Sequence, residues 1–242
     1  MAGEVPIRLG LIGIGGRMGQ EIVALAETDP SVIVIGGIGR ANANALGELA
    51  QSCDVLVDFS TPEISPRAAQ AAATSGRPVV VGTTGLDVTQ VAALRAAAER
   101  VPIWYARNMS TGVSLLQRLL PEIARALDGY DIEVIEAHHR HKVDAPSGTA
   151  LMLAEAILAG LGDGEHPFVH GREGHALRQA GEIGLHAIRG GGNAGEHTLL
   201  FASDEEEIRI SHRAYSRRAF AAGAIRAAKA IHNQPPGWYG PT

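Results

Sequence analysis

The sequence predicts an α/β protein: an N-terminal doubly wound parallel sheet, followed by a C-terminal α+β domain with a mixed sheet. Three observations predict it. Short β-branched runs alternate with helical segments as far as Asn108, the pattern of parallel strands joined by crossover helices. A glycine-rich loop, Gly13 to Gly19, lies between the first run and the first helix. After Asn108 the pattern changes to longer helices and then consecutive strands with short connections, which suits an antiparallel or mixed sheet.

The elements follow in order. Ile7 to Ile12 is an apolar run ending in glycine, and Gln20 to Glu27 reads as a helix with Ile22, Val23, Leu25 and Ala26 as its apolar residues. Val32 to Ile38, Val55 to Phe59, Pro78 to Val81 and Val101 to Tyr105 are further strands, with alanine-rich helices at Pro66 to Ser75 and Val88 to Arg100. Right-handed crossovers then make residues 1–108 a dinucleotide-binding domain. Residues 109–215 form the second domain. Ser110 to Leu127 reads as a helix with Pro121 interrupting it. Tyr130 to Ala137 alternates as a strand, with Ile132 and Val134 on one face and charge on the other. Pro146 to Leu161 is a helix with Pro146 in its first turn, and 160–181 reads as loop. Ile183 to Ile188, Glu196 to Ala202 and Glu207 to His212 are strands, Ser216 to Ile231 is a helix, and the last ten residues read as coil.

Composition excludes several classes. The 242 residues are 45% hydrophobic and 19% charged, with a formal net charge of −5. No global basic field draws the chain to nucleic acid or an anionic membrane. Aromatics at 4% disfavour a surface that stacks bases. The single cysteine, Cys53, forms no intrachain disulfide and suits a reducing compartment. No apolar run approaches the roughly 20 residues of a membrane span. The N-terminus lacks a signal-peptide core, so the expected location is cytoplasmic.

The loop Gly13, Ile14, Gly15, Gly16, Arg17, Met18, Gly19 fits G-x-x-G-x-x-G with an extra glycine at Gly15. Such a loop permits a tight turn, close approach of backbone to a pyrophosphate, and N–H groups at a helix start. Glycines that merely allow a strand–helix turn are the structural alternative. The context marks the first domain as Rossmann-like. The second strand ends in Gly39-Arg40, with no acid for a ribose 2′-OH. An arginine there pairs with a 2′-phosphate, and Arg17 could assist, so NADPH is preferred and NADH possible. A solvated Arg40 is the bland alternative. Gly82, Thr83 and Thr84 follow the fourth strand, where ligands bind in open α/β sheets; a turn with a helix cap is the alternative reading. Arg107, Asn108, Met109 and Ser110 follow the fifth strand, placed to touch the cofactor and act as a hinge.

The densest stretch is E-V-I-E-A-H-H-R-H-K-V-D-A-P-S-G-T-A, Glu133 to Ala150. Three histidines, an arginine and a lysine occupy His138 to Lys142. A lone histidine or lysine is more often packed or solvated. The cluster matters because a helix start follows it. Ser147, Gly148 and Thr149 offer N–H groups and hydroxyls where the helix dipole favours a carboxylate. Crowded cations depress one another's pKa and poise a histidine or lysine for proton transfer near neutrality. Asp144 could cap the helix or orient a cation. No H-E-x-x-H or paired-cysteine motif supports a metal, so none is expected.

This stretch closely resembles the signature of the 4-hydroxy-tetrahydrodipicolinate reductase (dihydrodipicolinate reductase) family. The likeness extends to G-x-G-G-R-M-G near the start, G-T-T-G in the middle, N-M-S-T-G-V at the boundary and G-E-H-T near the end, in the family's order. The resemblance implies a reductase using NAD(P)H in diaminopimelate and lysine biosynthesis, with a cofactor domain and a substrate domain that builds a homotetramer. It implies that His138 is the proton donor/acceptor and Lys142 the proton donor. His139, Gly148 and Thr149 then contact a carboxylate of the dicarboxylate substrate. Gly13 to Met18, Gly82 to Thr84 and Arg107 to Ser110 contact the cofactor, and the segment 216–242 packs back on the first domain. Departures are a short Gly39–Asp54 segment, Gly39 in place of a frequent acid, and Arg107 where small residues or proline are usual. Two other classes compete: another Rossmann-type dehydrogenase acting on a different small imine or carbonyl acid, and a non-catalytic sensor of NADP(H). The intact 138–149 segment argues against the sensor.

Overall fold

The computed structural model describes residues 5–241. The chain forms two compact units. One combines the segment up to Thr111 with the segment from Arg217 onward, and the other is Gly112–Ser216.

The first unit holds a six-stranded sheet of β1 (Ile7–Ile12), β2 (Val32–Ile38), β3 (Val55–Asp58), β4 (Val79–Val81), β5 (Pro102–Tyr105) and β11 (Gly237–Tyr239). Every pairing is parallel, and the order is β11-β5-β4-β3-β1-β2. Both faces of the inner strands β1, β3 and β4 are covered, which is why these are continuous apolar runs rather than alternating ones. On one face α1 (Arg17–Ala26) and α7 (Arg218–Ile231) close a core of Leu9, Ile22, Val57, Ala224 and Ile231. On the other, α2 (Leu46–Ser52), α3 (Ser65–Ser75) and α4 (Val88–Ala98) enclose Leu49, Leu56, Ala69, Leu94 and Ile103. The side chain of Ile231 is fully buried, a contribution of about 1.5–3 kcal/mol.

Three elements differ from the expectation. The stretch after β2 carries a 3-10 turn (Arg40–Ala45) and α2, whose Leu46, Leu49 and Ala50 are buried at helical spacing. The tail expected to be coil contains β11. Trp238 anchors it, with its ring 5.6 Å from that of Tyr105 and the Arg95 guanidinium 4.4 Å from its centre. Helix α1 begins at Arg17 rather than Gln20 because Gly16, at ψ 167°, takes the extended cap position.

The second unit holds α5 (Thr111–Ala126), β6 (Asp131–His138), α6 (Gly148–Leu158), β7 (Phe168–His170), β8 (Ile183–Arg189), β9 (Glu196–Ala202) and β10 (Glu207–Arg213). Its sheet order is β10-β9-β6-β8-β7, antiparallel at β10/β9 and β9/β6 and parallel at β6/β8 and β8/β7. Val113, Leu120, Leu153 and Ile157 pack on Ile132, Val134, Leu199 and Phe201. Pro121 lies inside an uninterrupted α5. The loop expected at 160–181 includes the edge strand β7. Pro146 is not in the first turn of α6. Ser147 caps that helix in an extended conformation (φ −67°, ψ 151°), and Pro146 precedes the cap. The charges of β6 also divide differently from the expectation. Glu136 and His138 share the buried face of Ile132 and Val134, as a period of two requires, and Glu133 faces the other way. No described helix is long and apolar enough to cross a membrane.

Candidate active site

The strand order 2-1-3-4-5 reverses direction between β1 and β3, and ligands bind at such a switch point, beyond the carboxyl ends of the strands. A cleft of about 610 Å³ opens there, lined by Gly13, Gly15 and Gly16 of the first loop, Gly39 after β2, and Ser60 and Thr61 after β3. The loop backbone is anchored from one side. Gly13 N and Ile14 N donate to the Ile38 carbonyl at 2.8 and 3.2 Å, and Gly16 N donates to the Gly13 carbonyl at 2.9 Å. Gly13 has φ +87°, and a side chain there would collide with the Phe59 carbonyl. The first turn of α1 holds no acidic residue and no side chain caps it. Its N–H groups and dipole therefore suit a diphosphate, and the residues present fit a dinucleotide.

Of the expected cofactor contacts, Gly13, Gly15 and Gly16 line the cleft, Arg17 is exposed at its helix start, and Ile14 and Met18 pack into the core. The Arg40 side chain lies outside the described residues. Thr83 is buried, and its Oγ1 accepts the Ser60 N–H at 3.0 Å, while Thr84 is exposed. Gly82 lies against the Phe59 ring, where a side chain would clash. Met109 and Ser110 are buried, Arg107 is exposed, and Asn108 Oδ1 accepts the Ser110 N–H at 2.8 Å. Sequence reasoning passed over Asp58, which organises these loops. This fully buried carboxylate accepts Ser60 Oγ at 2.5 Å, Ser60 N at 3.0 Å and Ser65 Oγ at 2.5 Å. Burial pushes its pKa up, against the pull of those donors.

In the second unit, β6 delivers His138 at its carboxyl end and α6 begins ten residues on. His138 is buried, and its Nδ1 lies 2.6 Å from Glu136 Oε2. The Glu136 side chain is completely buried. Arg189, at the end of neighbouring β8, donates to both its oxygens at 2.7 and 2.8 Å. Ser147 N donates to Glu136 Oε1 at 2.9 Å. Ser147 Oγ accepts the Ala150 N–H at 3.1 Å and lies 3.1 Å from His197 Nε2. The Ser147 hydroxyl is thus committed inside the protein, whereas Gly148 is exposed and Thr149 partly so at the helix start.

The loop from β6 to α6 is held from below by the chain after β8. Gly190 N donates to the His138 carbonyl at 3.0 Å, and His139 N to the Asn193 carbonyl at 2.8 Å. A Cβ at Gly195 would come within 3.0 Å of His138 Nε2. Lys142 is half-buried, its Nζ 2.8 Å from Asp144 Oδ1. Asp144 therefore orients a cation and also takes a backbone hydrogen bond from Gly148 at the helix start, while Ser147 holds the cap position. His139 Nδ1 is buried with no hydrogen-bond partner among the described residues. Arg140 and His141 are exposed. Among the described residues no cluster of His, Cys, Asp and Glu could hold a metal ion.

The electrostatics follow from this packing. Burial lowers the pKa of His138, and the adjacent Glu136 carboxylate opposes that fall. Burial acts to raise Glu136, but Arg189 and His138 outweigh it and hold the carboxyl below its ordinary value. His197 is pushed down to about 3, by burial first and then by His138, and is neutral at pH 7. Glu136, Arg189 and His197 were missed as site residues. Only the position of Glu136 on the buried face of β6 could have pointed to it.

Comparisons with known proteins identify the family. The family model described as dihydrodipicolinate reductase, N-terminus, matches residues 7–109, and its C-terminus counterpart matches 112–241. A protein named 4-hydroxy-tetrahydrodipicolinate reductase from Halorhodospira halophila is 45% identical over 255 residues, covering 96% of each chain. One of the same name from Thermomicrobium roseum is 44% identical over 250 residues, covering 96% of this chain and 97% of that one. The solved structure of dipicolinate-bound dihydrodipicolinate reductase from Paenisporosarcina sp. TG-14 has a TM-score of 0.76 over 98% of both chains at 21% identity, a likeness of fold. The chain belongs to the dihydrodipicolinate reductase family of NAD(P)H-dependent oxidoreductases.

Proposed function

We propose that this chain reduces 4-hydroxy-tetrahydrodipicolinate to tetrahydrodipicolinate in diaminopimelate and lysine biosynthesis, acting in the cytoplasm as a homotetramer. The observation that carries the reading is the pairing of a buried, carboxylate-bound His138 with a helix start at Ser147–Thr149 in one unit. A glycine-lined cleft suited to a dinucleotide occupies the other.

When bound, NAD(P)H would supply a hydride for the ring of the conjugated imine left when the hydroxylated substrate loses water. The protein has two tasks around that step. The exposed Gly148 and the Thr149 N–H at the start of α6 receive a substrate carboxylate, with His139 beside them, and the helix dipole favours the anion. The Ser147 hydroxyl acts through the helix start, since it caps α6. His138 and Lys142 then deliver the proton to the electron-rich ring carbon or nitrogen, with Asp144 holding the Lys142 ammonium. Positioning the substrate and neutralising its two carboxylates supplies much of the rate. Arg17 and Arg40 support a preference for the 2′-phosphate of NADPH.

A coupled assay with dihydrodipicolinate synthase, pyruvate and aspartate semialdehyde, run with NADPH and NADH, tests the whole reading. Higher kcat/KM with NADH overturns the cofactor preference. His138→Ala and Lys142→Ala each lower kcat by roughly 100-fold or more while NADPH affinity changes little. Wild-type turnover in both variants removes the assignment. Light scattering of the purified protein checks the tetramer, for which exposed Ile188, on the sheet face opposite α5 and α6, is a supporting feature.

A further inference from the structure

Directly behind His138 and the α6 helix start sits a carboxylate with no solvent exposure. Glu136 is the hub of the second unit's site. One oxygen faces His138 Nδ1 at 2.6 Å and takes an Arg189 N–H at 2.8 Å. The other takes an Arg189 N–H at 2.7 Å and the Ser147 backbone N–H at 2.9 Å. Arg189 is itself fixed by the Asp144 carbonyl at 2.6 Å and the Ile188 carbonyl at 2.8 Å.

An ionised carboxylate only accepts, so the proton between Glu136 and His138 belongs to Nδ1. That leaves Nε2 as the imidazole atom that gains and loses a proton. Nε2 faces Gly195, the one residue type that leaves room there: a Cβ would stand 3.0 Å away. Several charged or titratable groups among the described residues face His138. Glu136 raises its basicity. Lys142 and Arg189 lower it, His197 adjoins it with ring centres 5.2 Å apart, and Asp144 lies beyond Lys142. The same carboxylate anchors the first residue ahead of α6, the helix start assigned to the substrate carboxylate.

We propose that Glu136 is a positioning residue for the reaction: its carboxylate fixes the Nδ1–H form of His138, so that Nε2 carries the transferred proton, and ties that nitrogen to the α6 helix start. The proposal rests on the reading of His138 as the proton-transfer group. Glu136 touches no substrate atom and works through His138 and Ser147.

Three measurements test it on the full-length protein. Nitrogen-15 NMR of the histidine rings should show neutral His138 protonated at Nδ1; a neutral ring protonated at Nε2 overturns the proposal and needs no variant. Glu136→Gln removes the charge at nearly constant size. Its kcat at neutral pH should fall at least about tenfold. The alkaline limb of its kcat–pH profile should move to lower pH by about one unit, because the group that raised the His138 pKa is gone. NADPH affinity should stay within about twofold, since no cofactor contact is assigned to Glu136. Glu136→Asp restores the charge and should return the limb toward its wild-type position even where kcat stays low. A merely structural role would lower the amount of folded enzyme and leave the limb where it was, and that result overturns the proposal. His138→Ala, assayed beside these, separates the two failures. Full activity there removes the reading of His138 itself. An inactive His138→Ala beside an unmoved limb in Glu136→Gln removes only the role given to Glu136.

Discussion

Replacing Arg189 with methionine keeps the bulk of the side chain and deletes its guanidinium. Glu136 would then be a fully buried carboxylate with His138 and the Ser147 N–H as its remaining partners. Removing one member of a buried ion pair costs about 3–5 kcal/mol, because the other charge is left behind uncompensated. Two surviving donors place the expected loss near the lower end, about 3 kcal/mol. At roughly 2–4 °C per kcal/mol for a chain of this size, the melting midpoint should fall by about 6–12 °C. The effect should also depend on pH, and its sign is fixed. In the wild type the folded pKa of Glu136 lies below its ordinary value of 4.5. Its stabilisation is therefore present above the unfolded pKa and lost as pH falls through the folded one. Without Arg189 the folded pKa rises, because burial acts alone against the remaining donors, and the carboxyl escapes its penalty by taking a proton. The gap between wild type and Arg189→Met should be widest at pH 7–8 and narrow toward pH 4. Thermal or urea unfolding across that range measures it. A gap under about 1 kcal/mol at pH 7.5, or one that widens on acidification, would refute the account of Glu136 as an ion held by Arg189.

Four further outcomes are expected. His197, held at about 3 in the folded protein, binds its proton more readily when unfolded, so it subtracts stability as pH falls below about 6.5. His197→Gln should remove a slope of up to about 1.4 kcal/mol per pH unit between pH 6 and pH 4 in urea titrations. Gly13→Ala places a Cβ against the Phe59 carbonyl at a φ of +87°. It should abolish NADPH binding by fluorescence titration, and binding within threefold of wild type would count against the cleft. Asp58→Ala takes the acceptor from Ser60 Oγ and leaves the Ser60 N–H with Thr83 Oγ1 and the Ser65 hydroxyl with the Thr61 carbonyl at 3.3 Å. The expected destabilisation is about 1–3 kcal/mol for the group left unpaired, with a raised KM for NADPH and an unchanged KM for the imine substrate. Gly223→Ala drives a Cβ into the Met109 carbonyl and should destabilise the protein by about 1–3 kcal/mol in denaturant titrations.

The inner strands of the first unit were legible because they bury both faces. The β-branched runs Ile7–Ile12 and Val32–Ile38 begin and end where the apolar character does. Glu196–Ala202 was equally plain, its buried and partly buried residues alternating. The three-residue strands β7 and β11 were not legible. Each is a short edge strand, and its pairing depends on partners far along the chain, β8 for one and β5 for the other. The site shows the same division. The His138–Thr149 run announces itself by composition, and the glycine loop by spacing. Glu136 was read as a charge on the solvent side of its strand, since a glutamate on a buried face is rare unless paired. Its pairing comes from Arg189, 53 residues away on a strand that local sequence does not tie to β6. Asp58 was hidden for a related reason. It ends an apolar run, and the hydroxyls that hold it become its neighbours only once two loops have closed.

The return of α7 and β11 to the first unit bears on how the chain is made. During translation, residues up to Thr111 emerge without the strand that covers the edge of β5 and without the helix that packs Ala221, Ala224 and Ile231 onto β3, β4 and β5. Gly112–Ser216 is synthesised next and holds its own core, so the second unit can close while the first still waits for its last pieces. For that interval the nascent protein presents an open apolar sheet, a surface of the kind that chaperones bind and that aggregates form on. A ribosome stalled before Ala221 should therefore carry a protease-resistant second unit beside a protease-sensitive first one. Release of the remaining residues should protect both together.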